Sequence, residues 1–378
     1  MTILFTGDFL RPDSRGSRPT QHYNIRWLHD LFGRTLHRMT GEEVGYLAWN
    51  SGGVTKGGLT GAEISSIYDA CGVPRNIHGW AALYEQFALP RSVRRLLAEK
   101  FRDAFVIGFE IPSIIKHFLL ANGNRFLDVM VHPVRFHDDV FFGIQSSEGA
   151  ANEALARYAI GEDEIQLVAG VVAATAGRLS HPVRQPGTRL VLMQSRYDKT
   201  QIRDGRFIGI ADVMAPAAER GLFDAPVLVK PHPMEPENPH LKLVTAALRN
   251  CAVTTDNFYA LLCSENVEHV VSLSSSTCTE ARYFGKDAEY LHKNPFALSY
   301  AGDEYSYGFD SFISVKDSYY GLAFWADVLS GMGVPGVRAP GPAPASLATK
   351  PNRTRTSLRS FWGYNEIDTD IAVRACRP

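Results

Sequence analysis

Three groups of residues in the second half of the chain have the types and spacing to do chemistry. In residues 227–238, VLVKPHPMEPEN, an apolar run stops at Lys230-Pro231-His232-Pro233, so a buried strand would deliver an ammonium and an imidazole to a sheet edge on a proline-restricted backbone. In residues 269–286, an apolar run ends in Ser274-Ser275-Ser276-Thr277 before a helical pattern, which offers hydroxyls and free backbone N–H groups of the kind that hold a phosphate. Thr277 and Glu280 could equally form a plain capping box. In Gln194-Ser-Arg-Tyr-Asp198, a loop after a third apolar run presents Asp198, an ordinary turn residue by itself but a nucleophile or base if it faces a phosphate-binding pair.

The first half holds a second set. The run 104–109 ends at Glu110, which would put a carboxylate at a strand end. Residues 127–144 bracket His132, Arg135, His137, Asp138 and Asp139 with apolar residues, and a charge on a strand must face water or be paired. At least one of Arg135, Asp138 and Asp139 is therefore expected in a site, the alternative being a structural ion pair. Asp8 and Arg11, with Arg15 and Arg18, lie in a loop after the first β-rich run and could meet an acceptor or simply be solvated.

The elements that must position these residues alternate. Apolar runs at 2–6, 104–109, 188–193, 227–229 and 269–273 are separated by helical patterns at 22–38, 112–121, 150–177, 208–220 and 241–250, which argues for parallel sheets in both halves. The expected fold is α/β with two Rossmann-like domains facing a cleft: 1–180 on the acceptor side, 187–335 binding the donor, and 336–378 a Pro-rich crossover with a tail (Leu358, Phe361, Trp362, Ile367, Ile371) docked on the body.

Composition narrows the function classes. With 39 Lys plus Arg against 40 Asp plus Glu, no global field recruits nucleic acid or an anionic membrane, so any anion site is local. Asp8 and Arg11 interrupt the start of the chain before a signal-like apolar core could form, and no run reaches the roughly 20 apolar residues of a spanning helix. Five cysteines without CxxC spacing suggest reduced thiols in the cytoplasm. No glycine fingerprint for dinucleotides, no Walker loop and no metal-ligand spacing is present, so no cofactor or metal is expected.

Taken in order, Gln194 to Asp198, Lys230-Pro-His-Pro233 and Ser274-Ser-Ser-Thr-Cys-Thr-Glu-Ala-Arg-Tyr-Phe-Gly-Lys286 resemble the motifs of bacterial retaining β-Kdo transferases of capsule and O-antigen polysaccharide synthesis, and more distantly those of GT-B sialyltransferases. The resemblance covers about a hundred residues of the second half well and the first half more loosely, through residues 5–8, 108–110 and 132–139. It implies a GT-B fold and CMP-β-Kdo as donor, with a glycan or lipid-linked glycan as acceptor. It also implies cytoplasmic work that leaves room for peripheral association with inner-membrane assembly machinery. Carried over by position, Lys230, His232, Gln194 and Ser274 to Thr277 would hold CMP, Arg135 would pair with the donor carboxylate, Asp198 would be the nucleophile of a double displacement, and Glu110, Asp138 or Asp139 the acid/base. An inverting CMP-sialic acid transferase and a non-catalytic nucleotide- or glycan-binding module stay open beside it. The sequence departs from the pattern at Tyr197-Asp198, where a single carboxylate stands in place of two, and near Gly341, where Pro-rich sequence interrupts the usual crossover.

Overall fold

The computed structural model describes residues 1–12, 20–48, 58–86, 88–176, 183, 185–233, 235–248, 250–340 and 352–362. The expectations that rest on Arg15, Arg18, the Pro-rich stretch 341–351, and Ile367 and Ile371 lie outside these residues, as do Ser180, His181, Pro182 and Arg184 between the two expected domains.

Fourteen strands carry the described fold: β1 (Thr2–Gly7), β2 (Glu43–Tyr46), β3 (Ala104–Phe109), β4 (Phe126–Val131), β5 (Phe142–Ser146), β6 (Thr188–Leu192), β7 (Ile202–Arg203), β8 (Arg206–Phe207), β9 (Val227–Lys230), β10 (Cys251–Val253), β11 (Val267–Ser272), β12 (Asp287–Tyr290), β13 (Ala297–Ser299) and β14 (Ser311–Val315). They form a seven-stranded sheet, β13-β14-β5-β4-β3-β1-β2, a five-stranded sheet, β10-β9-β6-β11-β12, and the β7–β8 hairpin. The fold is α/β, as expected. The second sheet is wholly parallel. The first is parallel from β2 to β4, but β5 runs antiparallel to both β4 and β14, a departure from the all-parallel expectation.

Strand order fixes where each sheet opens. In the second sheet the chain runs from β6 outward through β9 to β10 and then crosses back to β11 on the other side of β6, so the loops after β6 and β11 splay apart and leave a crevice. In the first sheet the same reversal falls between β1 and β3. The two switch points thus lie beside Gln194–Asp198 and Ser274 in one sheet, and beside Asp8 and Glu110 in the other.

The sequence places the end of the second domain at residue 335. The chain has returned to the first sheet by residue 297, where β13 and β14 extend its edge through antiparallel pairing of β14 with β5. The helix Leu322–Gly331 then packs on the helix Gly149–Ala156; a Cβ on Gly331 would sit 2.7 Å from the Ala151 backbone, so glycine permits the approach. The β-rich run at 311–315, with four of its five residues buried, needs a sheet partner, and β5 supplies the free edge.

The core follows from periodicity. The helix Thr20–Thr40 buries Ile25, Leu28, Phe32 and Leu36, spaced three to four apart, with Trp27 beside them, against β1 and β3. The two units also exchange arms. Ile202 of the β7–β8 hairpin lies in the core with Trp80 and Leu83, and the Phe207 ring packs at a tilt against Trp80. In return Val134, Phe136 and Phe141 from the β4–β5 connection enter the core of the second unit with Tyr259, Tyr283 and Phe284. Apolar burial in both directions holds the two sheet edges in register.

Candidate active site

Gln194, two residues beyond β6, is the hub of the second sheet's edge. Its Oε1 accepts from Ser274 N at 2.8 Å and Ser274 Oγ at 3.3 Å, and its Nε2 donates to Thr200 Oγ1 at 3.4 Å. Its backbone carbonyl accepts from Asn238 Nδ2 at 3.2 Å, which ties in the loop that follows Lys230-Pro-His-Pro233. Ser274 Oγ also donates to Thr200 Oγ1 at 3.0 Å, and Thr200 Oγ1 and N donate to Asp198 Oδ1 at 2.8 and 2.9 Å. Arg196 and Glu235 add an ion pair between the β6 and β9 loops. The three motifs read from the sequence therefore share one hydrogen-bonded edge. A side-chain amide suits the hub because it accepts and donates at once.

Within this edge the residues differ. Lys230 donates to the Asp256 carbonyl at 2.6 Å, and burial, partly opposed by Asp256, lowers the pKa of its ammonium. His232 is half-buried in the loop beyond it. Ser275 Oγ accepts from Thr277 N and Oγ1, and Ser275 N donates to Ser272 Oγ. Ser276 precedes the short helix Thr277–Tyr283 without a side-chain cap. The capping box open to Thr277 and Glu280 does not form. Glu280 turns inward instead and accepts from Arg135 N at 2.6 Å and Tyr259 Oη at 2.9 Å. Burial pushes its carboxyl up to about 7 against the opposing pull of those hydrogen bonds and of the Arg135 charge.

Across the cleft, Glu110 directly follows β3 with φ 50°, a left-handed conformation that costs a non-glycine residue on the order of 1 kcal/mol. Its neighbours enforce it. Glu110 N donates to Val129 O at 2.9 Å, and Ile111 N donates to Asp128 Oδ1 at 2.8 Å. Gly108 leaves the space into which Ile111 packs. Asp128 is itself fixed by Lys116 at 2.7 Å, and Lys116 Nζ also donates to Gln145 Oε1 and Phe309 O. So set, Glu110 Oε2 reaches Lys199 Nζ of the opposite loop at 2.7 Å. That loop has its own left-handed residue, Tyr197 at φ 65°, directly before Asp198. Arg11 spans the same gap, its guanidinium 4.9 Å over Trp80 and its Nη2 donating to the Tyr197 carbonyl at 3.0 Å.

Several first-half candidates are placed differently from expectation. Asp139, one of the expected acid/base candidates, is buried, and its carboxylate accepts Thr354 N, Arg355 N and Val140 N at 3.0, 2.7 and 2.8 Å, capping the helix Arg353–Trp362 from outside. Asp138 is exposed and pairs with Lys316 at 3.1 Å; burial alone would raise its pKa, but Lys316 and His137 bring it below the usual carboxylate range. Asp8 is buried, accepts from Leu10 N, Arg11 N and Trp80 Nε1, and is pushed by burial to about 6 despite the Arg11 charge, so it anchors its own loop. Arg135 sits in the interface, its N–H on Glu280 and its carbonyl accepting from Arg355 Nη2 at 2.7 Å. The polar run 132–141 forms a connection between β4 and β5 rather than strand, with His132 stacked on Phe141 at 4.2 Å.

Sequence reasoning missed Thr200, Asn238, Lys199 and the Asp128–Lys116 pair. Asp128 carried a usable signal, a lone carboxylate inside the apolar strand FLDVMV. Among the described residues no three His, Cys, Asp or Glu side chains are grouped to hold a metal ion, and no helix is long and apolar enough to cross a membrane.

No protein-family model matches this chain, and no curated protein matches it. Two solved structures, both KpsC from Thermosulfurimonas dismutans, are similar to it. The beta Kdo 2,7 transferase is 15% identical with a TM-score of 0.34, over 65% of this chain and 81% of that one. The beta Kdo 2,4 transferase is 14% identical with a TM-score of 0.30, over 49% of this chain and 67% of that one.

Proposed function

We propose that this chain is a glycosyltransferase that moves Kdo from CMP-β-Kdo to a hydroxyl of a glycan acceptor with retention of configuration. The observation that carries the reading is the Gln194 hub: it ties the Asp198 loop and the Ser274 turn together at the second switch point, opposite Glu110 at the first. Ser274 to Ser276, Thr277, His232 and Lys230 supply hydroxyl, imidazole and ammonium donors for the single phosphate of CMP.

In the first step Asp198 attacks the anomeric carbon of the donor; the carbon–oxygen bond to phosphate breaks and CMP leaves with the bonding pair. Thr200, which holds Asp198 Oδ1, orients the carboxylate for this attack. In the second step Glu110 takes the proton of the acceptor hydroxyl as its oxygen attacks the same carbon and frees Asp198. Of the carboxylates considered for that role, Asp139 is spent on a helix terminus and Asp138 on Lys316, which leaves Glu110 at the cleft.

Incubation of Asp198→Asn with CMP-Kdo and a Kdo-accepting oligosaccharide tests the reading. Expected is loss of transfer by about a thousandfold or more, the cost typical of removing a member of a nucleophilic unit, with CMP binding intact. Transfer near the wild-type rate would remove Asp198 as nucleophile. One observation favours a second reading: Asp198 Oδ1 is already engaged as the cap of the turn Lys199–Gln201, as suits a carboxylate that only positions. An inverting CMP-sugar transferase, with Glu110 as base alone, would then apply, and the anomeric configuration of the product separates the two.

A further inference from the structure

Lys199 is the first residue of the short turn that Asp198 caps, and its ammonium points across the cleft rather than into its own unit. That ammonium meets Glu110 at 2.7 Å and lies 5.5 Å from the ring centroid of Phe296. The pair is partly open, with side chains 18% and 19% exposed, whereas the adjacent Lys116–Asp128 pair is 3% and 1% exposed. Lys116 spends its three protons on a carboxylate, an amide and a carbonyl. Among the described residues Lys199 spends one, on an anion contributed by the opposite wall. An ammonium so placed will accept another carboxylate of the same geometry in exchange for the first, at little cost in desolvation.

Geometry also says which carboxylate. An ulosonic acid carries its carboxylate on the very carbon that a nucleophile attacks, so a cation that neutralises it must stand beside that nucleophile. Lys199 is the neighbour of Asp198 in sequence and shares its turn. Arg135, the cation that the sequence alone suggested, lies inside the interface, where its backbone N–H binds Glu280 and its charge acts on that carboxyl.

We infer that Lys199 receives the carboxylate of the donor sugar and thereby selects for acidic CMP-sugars, and that Glu110 occupies this position in the unliganded cleft. The inference rests on the proposed transferase reading and adds to it a specificity-determining residue. Exchange of Glu110 for the donor carboxylate would free the Glu110 side chain at the moment an acceptor hydroxyl must be met. Burial works against the Lys199 charge, but the Glu110 carboxylate outweighs it and holds the ammonium above the usual lysine range, so Lys199 stays cationic through neutral pH.

The test uses full-length protein in an Asp198→Asn background, so that donor binds without turnover, with calorimetric titration by CMP and by freshly synthesised CMP-Kdo. With Lys199 present, CMP-Kdo is expected to bind more tightly than CMP. Lys199→Met should remove roughly ten- to a hundredfold of affinity for CMP-Kdo, the range of a charge-assisted contact, while CMP affinity changes by less than about twofold. Lys199→Arg should recover most of the loss. Equal affinity of the Lys199→Met protein and its parent for CMP-Kdo overturns the assignment and leaves the transferase reading standing. No binding of CMP by the parent overturns the reading and the assignment together. A Lys199→Met protein that loses CMP as well as CMP-Kdo, with lowered melting temperature, also overturns it, since Lys199 would then be a structural strut between the units.

Discussion

The polar groups at the two sheet edges are used in opposite ways. On the first sheet most carboxylates are consumed by the fold: Asp128 by Lys116 and the Ile111 amide, Asp139 by three backbone amides, Asp8 by its own loop and Trp80. On the second sheet Gln194, Thr200 and Ser274 bond chiefly to one another across strand ends, and Asp198 shares that network through one oxygen. A carboxylate that satisfies three backbone donors is architecture, while one held by a single hydroxyl and its own turn still has capacity for a ligand. Glu110 is the exception on the first sheet, and the sealed Asp128 beneath it is what makes the exception possible.

Four perturbations would break or sharpen this contrast. Lys116→Met strips the buried Asp128, whose pKa burial already raises, of its cationic partner and is expected to cost about 3–5 kcal/mol by urea denaturation, with Lys116→Met/Asp128→Asn recovering a large part. A small loss would mean that Asp128 is not the sealed support of Glu110.

Next in size is a pH effect at Glu280. Its folded pKa, about 7, lies above the ordinary 4.5, so the folded state holds a proton that the unfolded state has released between those values. Its contribution is therefore full below about pH 4.5 and is lost as pH rises toward 7, on the order of 3 kcal/mol for a fully buried carboxyl. Buried His132 acts in the opposite sense, since burial lowers its pKa and stability falls as pH drops below 6.5. The difference in stability between wild type and Glu280→Gln, followed from pH 4.5 to 7.5, isolates the Glu280 contribution; a flat difference would contradict it.

Asp139→Ala should cost about 1–2 kcal/mol, the value of a helix cap, and speed amide exchange in residues 353–358 without changing CMP affinity. A loss of donor binding would return Asp139 to the site. Smallest in stability is Gln194→Ala, at the half-buried hub, about 1 kcal/mol, yet CMP affinity should fall severalfold because the Thr200 and Ser274 turns lose their common side-chain partner. A variant with unchanged CMP affinity would deny the hub its role.

Much of this was legible from sequence where one local rule decided. The run at 227–229 ends as β9 at Lys230, and that at 188–193 as β6 at Leu192, because β-branched and aliphatic runs bounded by polar or proline residues have few alternatives. The β13–β14 return was not legible: the stretch 296–315 mixes aromatic, glycine and acidic residues, and only pairing with β5 makes strands of it. Asp139 looked catalytic because its partners, Thr354 and Arg355, come from the far end of the chain. Lys199 was passed over for the same reason, since its meaning depends on Glu110 in the other unit.

The central claim, that the second sheet's edge binds the nucleotide and the first sheet's edge does not, is tested most directly by the melting temperature with added CMP. At a hundredfold excess over the dissociation constant, bound CMP should stabilise wild type by about 2.7 kcal/mol. The account predicts that this shift persists in Glu110→Gln and disappears in Ser274→Ala/His232→Ala. A shift unchanged in the double variant, or lost in Glu110→Gln alone, would place the nucleotide on the other sheet and contradict the account.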